Sequence, residues 1–155
     1  MTDTVAARLE AAGITLPPAG AVAGNYVPWV RTGDLLFISG QLPLENGTLQ
    51  VAGRLGEDLG LEDGQRAARL CALNLIAQVK AALDGDLERV TRIVRLGGYV
   101  NSTPDFTAQP KVINGASDLM AEIFGDAGQH SRAAVACPSL PLGAAVELDG
   151  VVEAP

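Results

Sequence analysis

Residues Leu61–Leu83 carry the pattern that most narrows the folds open to this chain. Ala68, Cys71, Leu75, Val79 and Ala82 recur at helical spacing, and Ala72, Ile76 and Leu83 widen the same face. Arg66, Arg69 and Lys80 fall toward the other side. Glu62 and Asp63 sit in the first turn, where negative charge suits the helix dipole, and Gly85 follows as a stop. A face this broad and this rich in alanine needs a sheet to lie against.

The remaining segments supply that sheet. Tyr26–Arg31 and Leu35–Ser39 read as short strands joined by the turn Thr32-Gly33-Asp34. Asn46-Gly47 is a second turn, leading into a short strand over Thr48–Ala52. Arg89–Val100 reads as a longer strand, in which Gly97-Gly98 suggests a bulge or a close backbone approach. A second helix is expected from about Pro110, with Val112, Ile113, Ala116, Leu119, Met120 and Ile123 as its apolar face. Ahead of all this, residues 2–12 form a short helix and residues 14–25 a Pro- and Gly-rich connector. Residues 1–23 are therefore an N-terminal helix and connector, and residues 24–155 one domain. The order β-β-(β)-α-β-α-β-β predicts an α+β fold, a mixed sheet with two helices packed on one face. The other face then lies open, and self-association is the economical way to cover it.

The chain closes on SRAAVACPSLPLGAAVELDGVVEA, two apolar runs around Pro138–Pro141. Read as a hairpin, this places Cys137 opposite Leu142, Ala134 opposite Ala145 and Arg132 opposite Glu147. Two readings of that last pair stand side by side. One is a surface ion pair contributing at most about 1 kcal/mol. The other is a carboxylate-binding arginine beside a general base.

Charge and composition trim the function classes. Eighteen carboxylates against eleven Lys and Arg give a net charge of −7, with no basic cluster, which disfavours nucleic acid and anionic membrane alike. Aromatic residues are only 4% of the chain, too few for base-stacking platforms. Cys71 and Cys137 form no CxxC and read as buried thiols, and one histidine is too few for an ordinary zinc site, so no metal is expected. With neither a signal-like N-terminus nor a long apolar run, the expected setting is reduced and cytoplasmic.

The segment NYVPWVRTGDLLFISGQLPL, Asn114 and the closing segment together resemble the RidA/YjgF family of reactive-intermediate deaminases. The S-G-Q-x-P stretch and the R-x7-L-P-x4-V-E pattern carry the resemblance, which covers roughly residues 24–154. It implies a chorismate-mutase-like fold, a homotrimer with sites in the clefts between subunits, and hydrolysis of 2-imino or enamine acids to 2-keto acids and ammonia without a cofactor. Position by position, Arg132 matches the arginine that grips the substrate carboxylate, and Glu147 the glutamate that positions water. Tyr26, Ser39, Gly40 and Asn114 match residues lining the substrate. An arginine beside Glu147 would lower its pKa, which favours water orientation over strong proton abstraction. Ala134 stands where the deaminases often carry cysteine, and His130-Ser131 precede Arg132 in place of Pro-Ala. His130 reads either as a solvent-facing turn residue or as part of an altered site. The alternative to catalysis is a trimeric protein that binds a small carboxylate in the same cleft without turnover.

Overall fold

A computed structural model describes residues 3–155. Thr2, part of the expected helix start, lies outside the described residues. Helix α1 spans Val5–Ala11, and its N-cap Thr4 accepts a hydrogen bond from the Ala7 amide. The strands are β1 Trp29–Thr32, β2 Leu35–Gln41, β3 Leu44–Glu45, β4 Thr48–Leu49, β5 Arg92–Asn101, β6 Ser131–Cys137 and β7 Val146–Glu153. Helices α2, Leu61–Ala82, and α3, Gln109–Phe124, fall where the periodicity places them. Asn46 and Gly47 both take positive φ, so β3 and β4 close through the tight turn their sequence favours.

Five strands form one sheet in the order β1-β2-β7-β5-β6, with β5 and β6 parallel and the other pairs antiparallel. Leu36, Ile38, Ile93, Leu96, Val146, Leu148 and Val152 point from it into a core shared with α2 and α3. The expected α2 face is buried throughout, from Ala68 and Cys71 to Val79. Both long helices thus cover one face of a mixed sheet, as the element order predicts.

The closing segment is not a hairpin. Strand β5 lies between β6 and β7, pairing with β6 on one side and β7 on the other. The cause is the crossover through α3, which returns the chain parallel to β5 and leaves the far edge of β5 for β7. Residues 138–145 then span β5, turning through a short 3-10 segment at Pro141–Gly143.

The glycines of β5 also act differently from a bulge. The irregularity in its pairing falls between Ile93 and Arg95, whereas Gly97 and Gly98 pair regularly. A Cβ on Gly98 would run into the Ile113 side chain, so this glycine lets α3 sit directly on the strand. The first strand starts later than expected, at Trp29, because Pro28 offers no N–H to a ladder. The Val27 and Pro28 carbonyls instead accept hydrogen bonds from Ser39, through Oγ at 2.7 Å and N at 3.0 Å.

Helices α2 and α3 pack backbone to backbone at Gly115, where a Cβ would overlap the Gln65 carbonyl oxygen. Neither backbone can yield cheaply there. Gly115→Ala is expected to destabilise the fold by about 1–3 kcal/mol, read as a lower urea midpoint at unchanged slope.

Candidate active site

The six residues singled out in the sequence fall into two groups, with Arg132 and Glu147 on opposite faces of the sheet. Arg132 is the second residue of β6 and pairs with Leu96, a core residue, so its side chain leaves on the helix-covered face. It reaches α3 at the sheet margin. Nη1 donates to Asn114 Oδ1 at 2.8 Å and to Ser117 Oγ at 3.0 Å, and Nη2 donates to the Pro110 carbonyl at 3.3 Å. Of the five guanidinium N–H groups, Nε–H and one on Nη2 make no hydrogen bond among the described residues. No carboxylate of the described residues lies within ion-pair distance of Arg132. Two donors on one planar fork suit a ligand carboxylate.

Glu147 belongs to the other group. In β7 the buried residues Val146, Leu148 and Val152 alternate with half-buried Glu147, Asp149 and Glu153. Glu147 pairs with Tyr99 and faces away from the helices. Within one chain it therefore does not face Arg132. The two are separated by β5 and by the thickness of the sheet, which corrects the register expected from the hairpin.

Glu147 sits beside Gly40. The β2–β7 pairing slips between Ile38 and Gln41, a bulge that carries Ser39 and Gly40 toward β7. A Cβ on Gly40 would overlap the Glu147 carboxylate, so a side chain there would push that carboxylate aside. Ser39, Gly40 and half-exposed Tyr26 line a cavity of about 500 Å3, together with Gln41, Leu42 and the connector Pro17–Ala23. The connector is held by Gln78, whose Nε2 donates to the Gly20 carbonyl at 2.8 Å. Tyr26, Ser39, Gly40 and Glu147 are thus one constellation, and Arg132 with Asn114 another.

Several neighbours of these groups were not singled out in the sequence. On the open face, Asp149 accepts a hydrogen bond from the Tyr99 hydroxyl at 3.0 Å and lies 3.7 Å from Arg95 Nη1. The alternation of Glu147 and Asp149 along β7 was the signal for that cluster. Under Arg132, Ser117 also lies 2.8 Å from His130 Nε2, and His130 Nδ1 lies 2.6 Å from the Gly128 carbonyl. His130 is therefore built into the Arg132 group and does not simply face solvent. The i, i+3 spacing of Asn114 and Ser117 was the clue to that group.

Burial, and then the negative charge of Asp149, hold the Glu147 carboxyl above its ordinary value of 4.5. This reverses the lowering expected from an adjacent arginine, and it suits a group that takes up and returns a proton. Cys71 is fully buried, and burial pushes its thiol well above the ordinary range, which removes it as a nucleophile. Cys137, expected to be buried, is only half-buried at the end of β6. Among the described residues no group of three His, Cys, Asp or Glu could hold a metal ion.

The family model described as "YjgF/chorismate_mutase-like, putative endoribonuclease" matches residues 6–150. The chain belongs to the YjgF/RidA family. It is 51% identical over 150 residues to Protein TCP17 of Trypanosoma cruzi, covering 96% of this chain and 93% of that one. It is similar to the crystal structure of Atu1372, a protein of unknown function from Agrobacterium tumefaciens. That pair has a TM-score of 0.92 at 50% identity, over 99% of this chain and 94% of the other. A "putative endoribonuclease" from Shewanella oneidensis is similar at TM-score 0.94 and 42% identity, over 97% of this chain and 99% of that one. These matches take in α1 and the connector along with the sheet, so the cavity wall at Pro17–Ala23 lies within the shared architecture.

The raised carboxyl of Glu147 has a consequence for stability. Native Glu147 binds its proton more tightly than the unfolded chain does, so ionisation costs stability as pH rises above 4.5 through the raised value. A Glu147→Gln variant escapes that cost. Its melting temperature, relative to the parent, is expected to be lowest near about pH 4 and to climb to a plateau by about pH 8. A pH-independent difference would contradict the burial argument.

Proposed function

We propose that the chain is a hydrolytic deaminase of small 2-imino or enamine acids, working as a homotrimer whose sites form between neighbouring copies. The observation that carries this reading is the division of the site residues. Arg132 has unused donors at one margin of the sheet, while Glu147 has a raised carboxyl on the other face, against Gly40. One chain cannot bring them to the same substrate. A second copy, set with its β6 margin against the open face of the first, can.

In such a cleft Arg132 holds the substrate carboxylate, and Tyr26, Ser39 and Gly40 form the wall beside the reacting carbon. Ionised Glu147 takes a proton from water as its oxygen bonds to the iminium carbon, and the C=N electron pair moves onto nitrogen. The protonated Glu147 then gives that proton to the amine. The C–N bond breaks, and the hydroxyl proton returns to Glu147 as the carbonyl forms. Ammonia leaves, and takes up the last proton as ammonium. A carboxyl held above its ordinary value by burial and Asp149 serves both proton transfers, and the neighbour's guanidinium charge is offset by the substrate carboxylate it holds. Positioning by Arg132 supplies the rest, since an iminium is already electrophilic.

The endoribonuclease description attached to the family finds less support in this chain. A net charge of −7 provides no counterion-release drive toward RNA.

The test uses 2-aminoacrylate generated in situ by a pyridoxal-phosphate lyase, with ammonia release as the readout. Arg132→Ala and Glu147→Ala are each expected to lower kcat/KM by about 10²-fold or more. Mixing the two inactive variants in equal amounts and allowing subunits to exchange tests the shared site. Random assembly gives about one quarter of sites an intact Arg132 facing an intact Glu147, so about one quarter of parental activity should return. No recovery despite exchange would rule out a site shared between copies. Retained pyruvate binding with no ammonia release from the parent protein would instead select a carboxylate-binding protein without turnover.

A further inference from the structure

The hydrogen bonds beneath Arg132 run in one direction, and their starting point is closely packed. The Gly128 carbonyl can only accept, so His130 Nδ1, 2.6 Å away, carries the proton. In the neutral ring Nε2 is then an acceptor, and the Ser117 hydroxyl donates to it across 2.8 Å. With its hydrogen committed, Ser117 Oγ turns lone pairs toward Arg132 Nη1, which donates to it across 3.0 Å. Gly128 is itself pressed against α3, where a Cβ would overlap the Met120 carbonyl. The chain of bonds thus starts on backbone packed against α3 and ends on the guanidinium.

We infer that Ser117 and His130 are positioning residues that set the plane of Arg132 so that its Nε–H and remaining Nη2–H project together toward a ligand carboxylate. This rests on the reading of Arg132 as the carboxylate holder. Neither residue touches substrate. Asn114 and the Pro110 carbonyl hold the same guanidinium from α3, so with Ser117 three anchors on one helix fix an otherwise flexible side chain. An arginine ordered before binding loses less entropy when the carboxylate arrives. Such an effect appears in affinity for the carboxylate, in ground state and transition state alike, and so in KM more than in kcat. His130 itself stands at a position that departs from the deaminase pattern, which gives it a task in place of the proline.

Two measurements test the inference. His130 is the only histidine, so 15N-histidine labelling of the intact protein gives one ring to read. The neutral ring is expected as the Nδ1–H tautomer, with Nε2 showing the shift of an unprotonated acceptor; the Nε2–H tautomer would overturn the proposal. Pyruvate titration then probes the effect on Arg132. Ser117→Ala and His130→Ala are expected to weaken pyruvate binding about five- to ten-fold while binding of neutral pyruvamide stays within about two-fold. Ser117→Thr, which keeps the hydroxyl, should stay within about two-fold of the parent for pyruvate. If Arg132→Ala loses pyruvate affinity but Ser117→Ala and His130→Ala do not, the positioning role is wrong and the carboxylate reading stands. If Arg132→Ala leaves pyruvate affinity unchanged, both fall together.

Discussion

The contact between Gly98 and Ile113 is the constraint from which most of this structure follows. A central strand that carries no side chain at that point allows α3 to lie against it. With α3 seated, the chain returns parallel to β5 as β6, and β7 must take the remaining edge of β5. Helix α2 fills the rest of the layer with small residues, Ala67, Ala68, Cys71 and Ala72, that bring its axis close to the sheet. Every apolar face of both helices is then spent on one side. The other side keeps a polar centre of Arg95, Tyr99, Glu147 and Asp149, edged by exposed Val30, Phe37 and Val135.

That arrangement accounts for the electrostatics of the Arg132 and Glu147 groups. Glu147 is partly buried beside another carboxylate, and Arg95 lies against Asp149. The carboxyl nearest Gly40 is therefore the one left with a desolvation cost and no cation of its own. Arg132, on the opposite face, is held only by neutral acceptors. An ion pair within the chain would have quenched both groups. Keeping them apart within one chain leaves a cation without a carboxylate and a carboxyl above its ordinary value.

The elements were legible in the sequence because their burial is periodic. The helical spacing of Leu75, Ile76 and Val79 and the run Ile93–Val100 each point to one secondary structure with one buried side. Strand adjacency was not legible, because a hairpin count assumes that neighbours in sequence are neighbours in the sheet. The face of Glu147 could have been read from β7 alone, where Val146, Leu148 and Val152 alternate with three carboxylates. Strand β6 hides its own faces, since SRAAVAC is small and apolar at nearly every position and gives no alternation to follow. Arg132 shows its face only through its pairing with Leu96. The candidate residues were named through a family resemblance, while the division of Arg132 and Glu147 between two faces depended on topology.

The same division bears on the exposed edge of the sheet. A terminal strand with unpaired backbone groups invites association unless something blunts it. Here β6 is such an edge, and it carries Arg132 at one end and exposed Val135 on the open face. The open face of the sheet carries apolar Val30 and Phe37 around a polar centre. Margin and face are complementary in kind: an arginine with spare donors and an apolar residue on one, a carboxyl and apolar residues on the other. Closing one against a copy of the other would protect the edge and cover the apolar surface. It would also bring arginine and glutamate to a common cleft. Stability of the assembly and completion of the site would then be the same event, so a chain alone would be folded and yet lack half of its chemistry.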